Sequence, residues 1–225
     1  MTLSLKDYKD IVGEELIQNI YGEATPLDKK HVEHINSTYY GGGVAEILNS
    51  LTLLMNDVGI RTGWRLLKGH PDFFNVTKKF HNSLQGENIV LSENKKRIYM
   101  ECNETNSIIM HIDFADCIII HDPQPLPLIN FYEKKQPWIW RGHIDLSNPN
   151  KVLWDYLKQF IEKYDAAIVS MEQYKQPDLQ KPYHIIHPSI DPLTTKNRPI
   201  HDATIKKYLS KFGVDLDKPI ISQVS

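Results

Sequence analysis

Much is missing from this sequence of 225 residues, and each absence closes a route to function. No block of clustered lysines and arginines stands out. The 26 basic side chains face 28 acidic ones for a formal net charge of −2, so the electrostatic footprint of a nucleic-acid binder is not there. Only two cysteines occur, Cys102 and Cys117, outside any metal-ligand spacing. With no secretory leader legible at the amino terminus, they fit a reducing, cytoplasmic setting. No apolar run approaches the roughly 18 residues of a membrane span, which sets the membrane aside as a partner. Internal repeats and low-complexity tracts are absent, as are the Gly-x-Ser-x-Gly nucleophile elbow, the dinucleotide fingerprint and the P-loop. The 41% hydrophobic and 24% charged residues suit one large α/β domain with a full core, or two small ones.

The stretch around which the chain is organised is Asn36-Ser37-Thr38-Tyr39-Tyr40-Gly41-Gly42-Gly43-Val44-Ala45-Glu46. A strand-like run, His31 to Asn36, precedes it. Val44, Ile47, Leu48, Leu51, Leu54, Met55 and Val58 then recur at helical spacing. Strand, three glycines and helix are the geometry of an anion site, because glycine lets a ligand approach the backbone and free amides at a helix start point at negative charge. A tight turn that binds nothing is the alternative, but three consecutive glycines cost conformational entropy that one would avoid.

An amphipathic helix is expected over Leu5 to Tyr21 and a polar linker to Lys30. After the glycine loop and its helix, a second strand falls near Thr62 to Leu67, giving a parallel βαβ unit. Pro71 suits the first position of a helix running to Leu84. His81, Asn82 and Gln85 at its end could bind sugar hydroxyls, or be no more than a polar helix end closed by Gly86. A helix capped by Ser92 runs to about Asn106. The strand Cys117 to Ile120 is continuous and β-branched, hence buried, and a helix is expected from Leu126 to Lys135. Further strands are expected at Pro137 to Asp145, Ala166 to Met171 and His184 to His187, and helices at Val152 to Tyr164 and Asp202 to Phe212.

Three ligand candidates occupy equivalent places: Gly41 to Gly43 after the first strand, His121 and Asp122 after a middle strand, and His143 and Asp145 after the next. In a parallel sheet all three fall on the carboxyl edge, above one crevice. Metal chemistry could recruit His121, Asp122, His143 and Asp145, although their spacing is not diagnostic. Glycosyl transfer needs amides near a leaving diphosphate and polar groups for two sugars, and both are here. A non-catalytic sugar- or phosphate-binding module would show the same residues.

Five ordered motifs narrow this choice. They are His34-Ile35-Asn36-Ser37-Thr38 with Gly41-Gly42-Gly43-Val44-Ala45-Glu46, Phe73 to Asn82 with Leu84-Gln85-Gly86, His121-Asp122-Pro123-Gln124-Pro125, Pro137 to Arg141 with His143 to Ser147, and Pro188 to Leu193. Together they closely resemble the trehalose glycosyltransferring synthases of archaea and thermophilic bacteria, from Leu5 to the end of the chain. One departure is Gly142, where the family pattern carries cysteine.

The resemblance implies an α/β fold: a Rossmann-like three-layer domain with a mainly parallel sheet, the amino-terminal half of a GT-B glycosyltransferase. Residues 1–30 would form a helical extension and linker, 31–218 the acceptor-side domain, and 219–225 the first strand of a second, nucleotide-sugar domain beyond this chain. The fragment alone should be inactive. The implied partners are a nucleoside-diphosphate-glucose, glucose, the second Rossmann domain and possible homodimer formation; no cofactor or essential metal is implied. Gly42 and Gly43 would place amides near the diphosphate, with Glu46 orienting the loop or favouring the positive end of the helix. His143 would hydrogen-bond the donor sugar and Asp122 orient the sugars, as the catalytic pair. His81, Asn82, Gln85, His121 and Asp145 would form the acceptor pocket. Relatives with other sugar pairs share the fold; a phosphorylated acceptor would want cations near His81, where only Lys78 and Lys79 offer themselves.

Overall fold

The computed structural model of the protein describes residues 3–216 and 218–221. The chain forms two compact units, Met1–Ser189 and Ile190–Ser225. The first holds six strands: β1 (His31–Asn36), β2 (Arg61–Leu66), β3 (Cys117–His121), β4 (Trp138–Gly142), β5 (Ala166–Val169) and β6 (Tyr183–Ile185). They hydrogen-bond in the order β2-β1-β3-β4-β5-β6, and every pairing is parallel. The chain leaves β1 for β2 on one side and returns to β3 on the other, so the winding reverses between β1 and β3. In open α/β sheets ligands bind above such a reversal, at the carboxyl ends of the strands.

Helices cover both faces. α1 (Lys9–Val12), α2 (Glu14–Ala24) and α3 (Gly43–Asp57) precede β2, while α4 (Pro71–Leu84), α5 (Glu93–Met110) and α6 (Lys151–Ile161) lie between later strands. On one face Val32 packs with Ala24, Met55, Val58 and Ile60. On the other, Ile35, Ile118, Ile120, Trp138 and Trp140 join Phe80, Tyr99, Leu157 and Phe160 in the main core. Successive strand residues point to opposite faces, so the isoleucine run of β3 feeds both clusters. The result is a Rossmann-like three-layer α/β fold. In the second unit α7 (Asp202–Lys211) is the helix expected from the sequence.

Two expected elements change. The amino-terminal helix is broken at Gly13, whose φ of +84° ends α1 and starts α2. No regular helix fills 126–135; a 3-10 turn spans Leu126–Asn130. The Leu126 carbonyl there accepts from the buried Tyr164 hydroxyl at 2.8 Å, and Leu128 O takes the Phe131 amide three residues on at 3.0 Å, the tighter turn's pairing. The strand start expected at 219–225 falls partly on residues 222–225, which lie outside the described residues; 219–221 belong to no regular element.

Candidate active site

The carboxyl edge of β1, β3 and β4 gathers the groups with chemical potential. Parallel registry explains how. His34 pairs with Ile119, two residues short of His121, and His121 pairs with Arg141, two short of His143. Since side chains two apart share a face, the three imidazoles lie on one face and climb as a staircase, one strand across and two residues up at each step. His34 Nδ1 meets His121 Nε2 at 2.9 Å, and His121 Nδ1 meets His143 Nε2 at 2.9 Å. The rings of His121 and His143 stack with centroids 5.2 Å apart. His34 and His121 are buried, whereas His143 is partly open. Burial, helped by the nearby Arg141 charge, lowers His34 to about 4 and His143 to about 3. His121 is pushed well below the ordinary imidazole range by burial and by both neighbours. All three rings are therefore neutral at pH 7.

Asp122 sits beside this row. Its φ of +61° is uncommon for any residue but glycine, and proline follows it. The turn is held from every side. The Asp122 amide donates to Arg141 O at 2.9 Å, and Trp140 Nε1 donates to Asp122 O at 3.3 Å. Its carboxylate Oδ1 accepts from the His143 amide at 2.8 Å. α5 braces the exit that follows, with Tyr99 donating to Pro123 O and Asn103 to Gln124 O. Burial raises the Asp122 carboxyl to about 7 against the pull of the His143 amide and Arg141. Strained backbone that surrounding contacts over-determine is a mark of functional sites.

Other candidates reach the same edge from two directions. Gly41 and Gly42 have φ of +75° and +82° with open space around them, and Gly42 is the N-cap of α3. The first amides of α3, from Gly43 on, thus face outward without helical partners. Glu46 is exposed in the first turn of α3. The end of α4 is tied to the loop after β4: Asn150 N donates to Ser83 O at 2.8 Å, and a side chain at Gly86 would meet Asn148 O at 3.2 Å. His81 and Asn82 are half-buried there and Gln85 is exposed. Asp145 is engaged within its own loop. Its Oδ1 accepts from Ser147 N at 2.8 Å, and bonds from Ser147 hold its carboxyl below the usual range. Among the described residues no group of three or more His, Cys, Asp or Glu is arranged to hold a metal, and no helix is long and apolar enough to cross a membrane.

Sequence reasoning gives no role to Tyr99 or Asn103, nor to His34, Trp140 and Arg141, although those three fall inside the quoted motifs. His34 and His121 could be linked only through the strand register, which the sequence does not state. Tyr99 and Asn103 share a helix face at i, i+4, a signal indistinguishable from ordinary core packing.

The buried groups make stability depend on pH. The three imidazoles have folded pKa values below the ordinary value of about 6.5, so their contribution is present above that pH and lost as it falls toward 4. Asp122, raised to about 7, acts in the opposite sense: its contribution is present in acid and lost as pH rises toward 7. Three groups oppose one, at about 1.4 kcal/mol per pH unit for each uncompensated proton. Denaturant midpoints should therefore fall steeply from pH 6.5 to pH 4.5, and a level profile would remove the neutral imidazole row.

Residues 34–176 match the family model described as the N-terminal domain of trehalose synthase. The trehalose synthase of Thermococcus litoralis is 51% identical over 223 residues, covering 98% of this chain and 54% of that protein. That of Rubrobacter xylanophilus is 39% identical over 228 residues, covering 99% of this chain and 55% of its own. A trehalose phosphorylase of Pleurotus pulmonarius is 26% identical over 187 residues, covering 73% of this chain and 25% of that protein. The chain thus spans about half the length of the trehalose synthases it matches. With the match running through the glycine loop, the imidazole row and the Asp122 turn, the chain belongs to the trehalose synthase family and corresponds to its N-terminal domain.

Proposed function

We propose that this chain is the acceptor-side half of a retaining GT-B glycosyltransferase that moves glucose from a nucleoside-diphosphate-glucose to the anomeric hydroxyl of glucose, forming α,α-trehalose. The observation that carries this reading is the convergence on one sheet edge of the open glycine amides, the Asp122–His143 pair and the polar end of α4. Gly42 and Gly43 approach the leaving diphosphate. His143 and Asp122 position the donor sugar, and His81, Asn82 and Gln85 take the acceptor hydroxyls, with Asp145 at the rim. No carboxylate is needed as nucleophile: the departing phosphate takes the acceptor proton on the same face, through an oxocarbenium-like state. Catalysis then rests on positioning and charge stabilisation.

The complete enzyme, in this reading, joins this chain to a second Rossmann domain that holds most of the nucleotide sugar, acts in the cytoplasm without an essential metal, and leaves this half inactive alone. The fungal relative is a phosphorylase by name, so trehalose, rather than the form of the donor, is what both sets of relatives share. The acceptor assignment is tested on the 225-residue chain by titrating glucose and following amide resonances. Shifts centred on His81, Asn82 and Gln85 are expected, at millimolar glucose. Shifts elsewhere, or none at saturating sugar, would transfer the acceptor pocket to other residues.

A further inference from the structure

The imidazole row does more than fill the sheet edge. His121 has both ring nitrogens engaged, one toward His34 and one toward His143, and is only 1% exposed. It cannot reach a sugar without giving up one of these bonds. The inner end of the row is His34 Nε2, which is buried and has no hydrogen-bond partner. The outer end is His143 Nδ1, on the one ring of the three that is partly open.

Three neutral rings in series allow two proton patterns. In the first, every ring carries its proton on Nε2. His143 then donates to His121, His121 donates to His34, and His34 is left with a buried N–H that donates to nothing. In the second, every ring carries its proton on Nδ1. His34 donates to His121, His121 donates to His143, and the buried orphan is a lone pair on His34 Nε2.

Orphaned buried N–H groups are the rarer and costlier kind. The neighbourhood adds to that preference. Trp64 is the register partner of His34 on β2, and its indole N–H is also buried without a partner. A second orphaned donor would add to the one this face already buries, whereas a lone pair would not. Arg141 is the charged group common to all three rings, and it disfavours adding a proton to any of them. Asp122 holds the backbone of His143 and not its ring.

We infer that His34 and His121 are positioning residues whose hydrogen bonds fix His143 as the neutral Nδ1–H tautomer, so that His143 presents a hydrogen-bond donor to the sugar crevice. The tautomer of a histidine is set by the bond its other nitrogen makes, and here that bond is set by a second and a third ring. His143 is then a donor to a sugar oxygen and not a general base. The link to sugars rests on the glycosyltransferase reading; the tautomer does not.

The test separates the two. Imidazole ¹⁵N spectra of the 225-residue chain at pH 7 should show His143 with a protonated Nδ1 and a bare Nε2, unchanged to pH 5.5. His121→Phe keeps a flat ring and removes both bonds. It should release His143 toward the Nε2–H form that free imidazole favours, and should lower kcat of the complete enzyme about 10- to 100-fold with KM for glucose changed less than threefold. His34→Leu removes only the inner bond, and should shift the tautomer of His143 less than His121→Phe does. A wild-type His143 protonated on Nε2 overturns the inference even if no variant folds. So does a His121→Phe spectrum in which His143 is unchanged. If the tautomer is as expected but the complete enzyme transfers no glucose, the functional reading fails and the relay stands.

Discussion

Replacing His143 by alanine in the complete enzyme is expected to lower kcat about 100- to 1,000-fold, the loss typical of removing one preorganised donor from a site of charge development. His143 is where three independent constraints meet: its ring bonds His121, its amide bonds Asp122, and its remaining nitrogen lies on the open side of the row. The domain should stay folded. The ring is half-buried rather than sealed, and the main penalty is the His121 nitrogen left without its partner, about 1–3 kcal/mol. Circular dichroism and a denaturation curve beside the rate measurement separate the two effects. Near-normal turnover in a folded variant would take His143 out of the catalytic pair.

Asp122→Ala should be almost as damaging to turnover, about 100-fold, for a different reason. The substitution removes the acceptor for the His143 amide and leaves alanine at a φ of +61°, which costs a residue with a Cβ about 1–2 kcal/mol. Losing a buried carboxyl offsets part of that cost, so stability should change less than activity. Asp122→Asn tells charge from placement. Asparagine tolerates the same backbone and its side-chain oxygen can still accept from His143 N, so it should retain most activity if Asp122 acts by placement. Equal loss in both variants would mean that the carboxylate charge itself is used.

Much of this molecule is readable before folding because its signals are local. Ser92 caps α5 and Asn150 caps α6 through their own side chains, and Pro71 opens α4. The strand β3 is read from its unbroken apolar run, and the Rossmann-like order follows from the alternation of strands with helices. Misreadings come where a local pattern is outvoted: Gly13 splits a helix that apolar periodicity alone would continue, and a tertiary bond from Tyr164 engages the first carbonyl of another. At the site, the sequence places Asp122 and His143 at adjacent strand ends but cannot state that one anchors the other, because that depends on register. His121 illustrates the same limit. Its position suggests a sugar contact, but the fold turns it inward between two rings. Crowding at Gly142 is likewise visible only in three dimensions: a side chain there would meet the Trp140 ring at 3.0 Å.

The most direct test of the central proposal takes this chain joined to a carboxyl-terminal half of the length its relatives carry, and asks for product. The enzyme is incubated with a nucleoside-diphosphate-glucose and glucose, with the 225-residue chain alone run in parallel, and the sugars are separated by chromatography. Trehalose from the complete enzyme and none from the half is the expected result. Nucleotide release without trehalose would keep glycosyl transfer and reject glucose as acceptor; neither product from a folded, complete protein would contradict the proposal and favour a sugar-binding module.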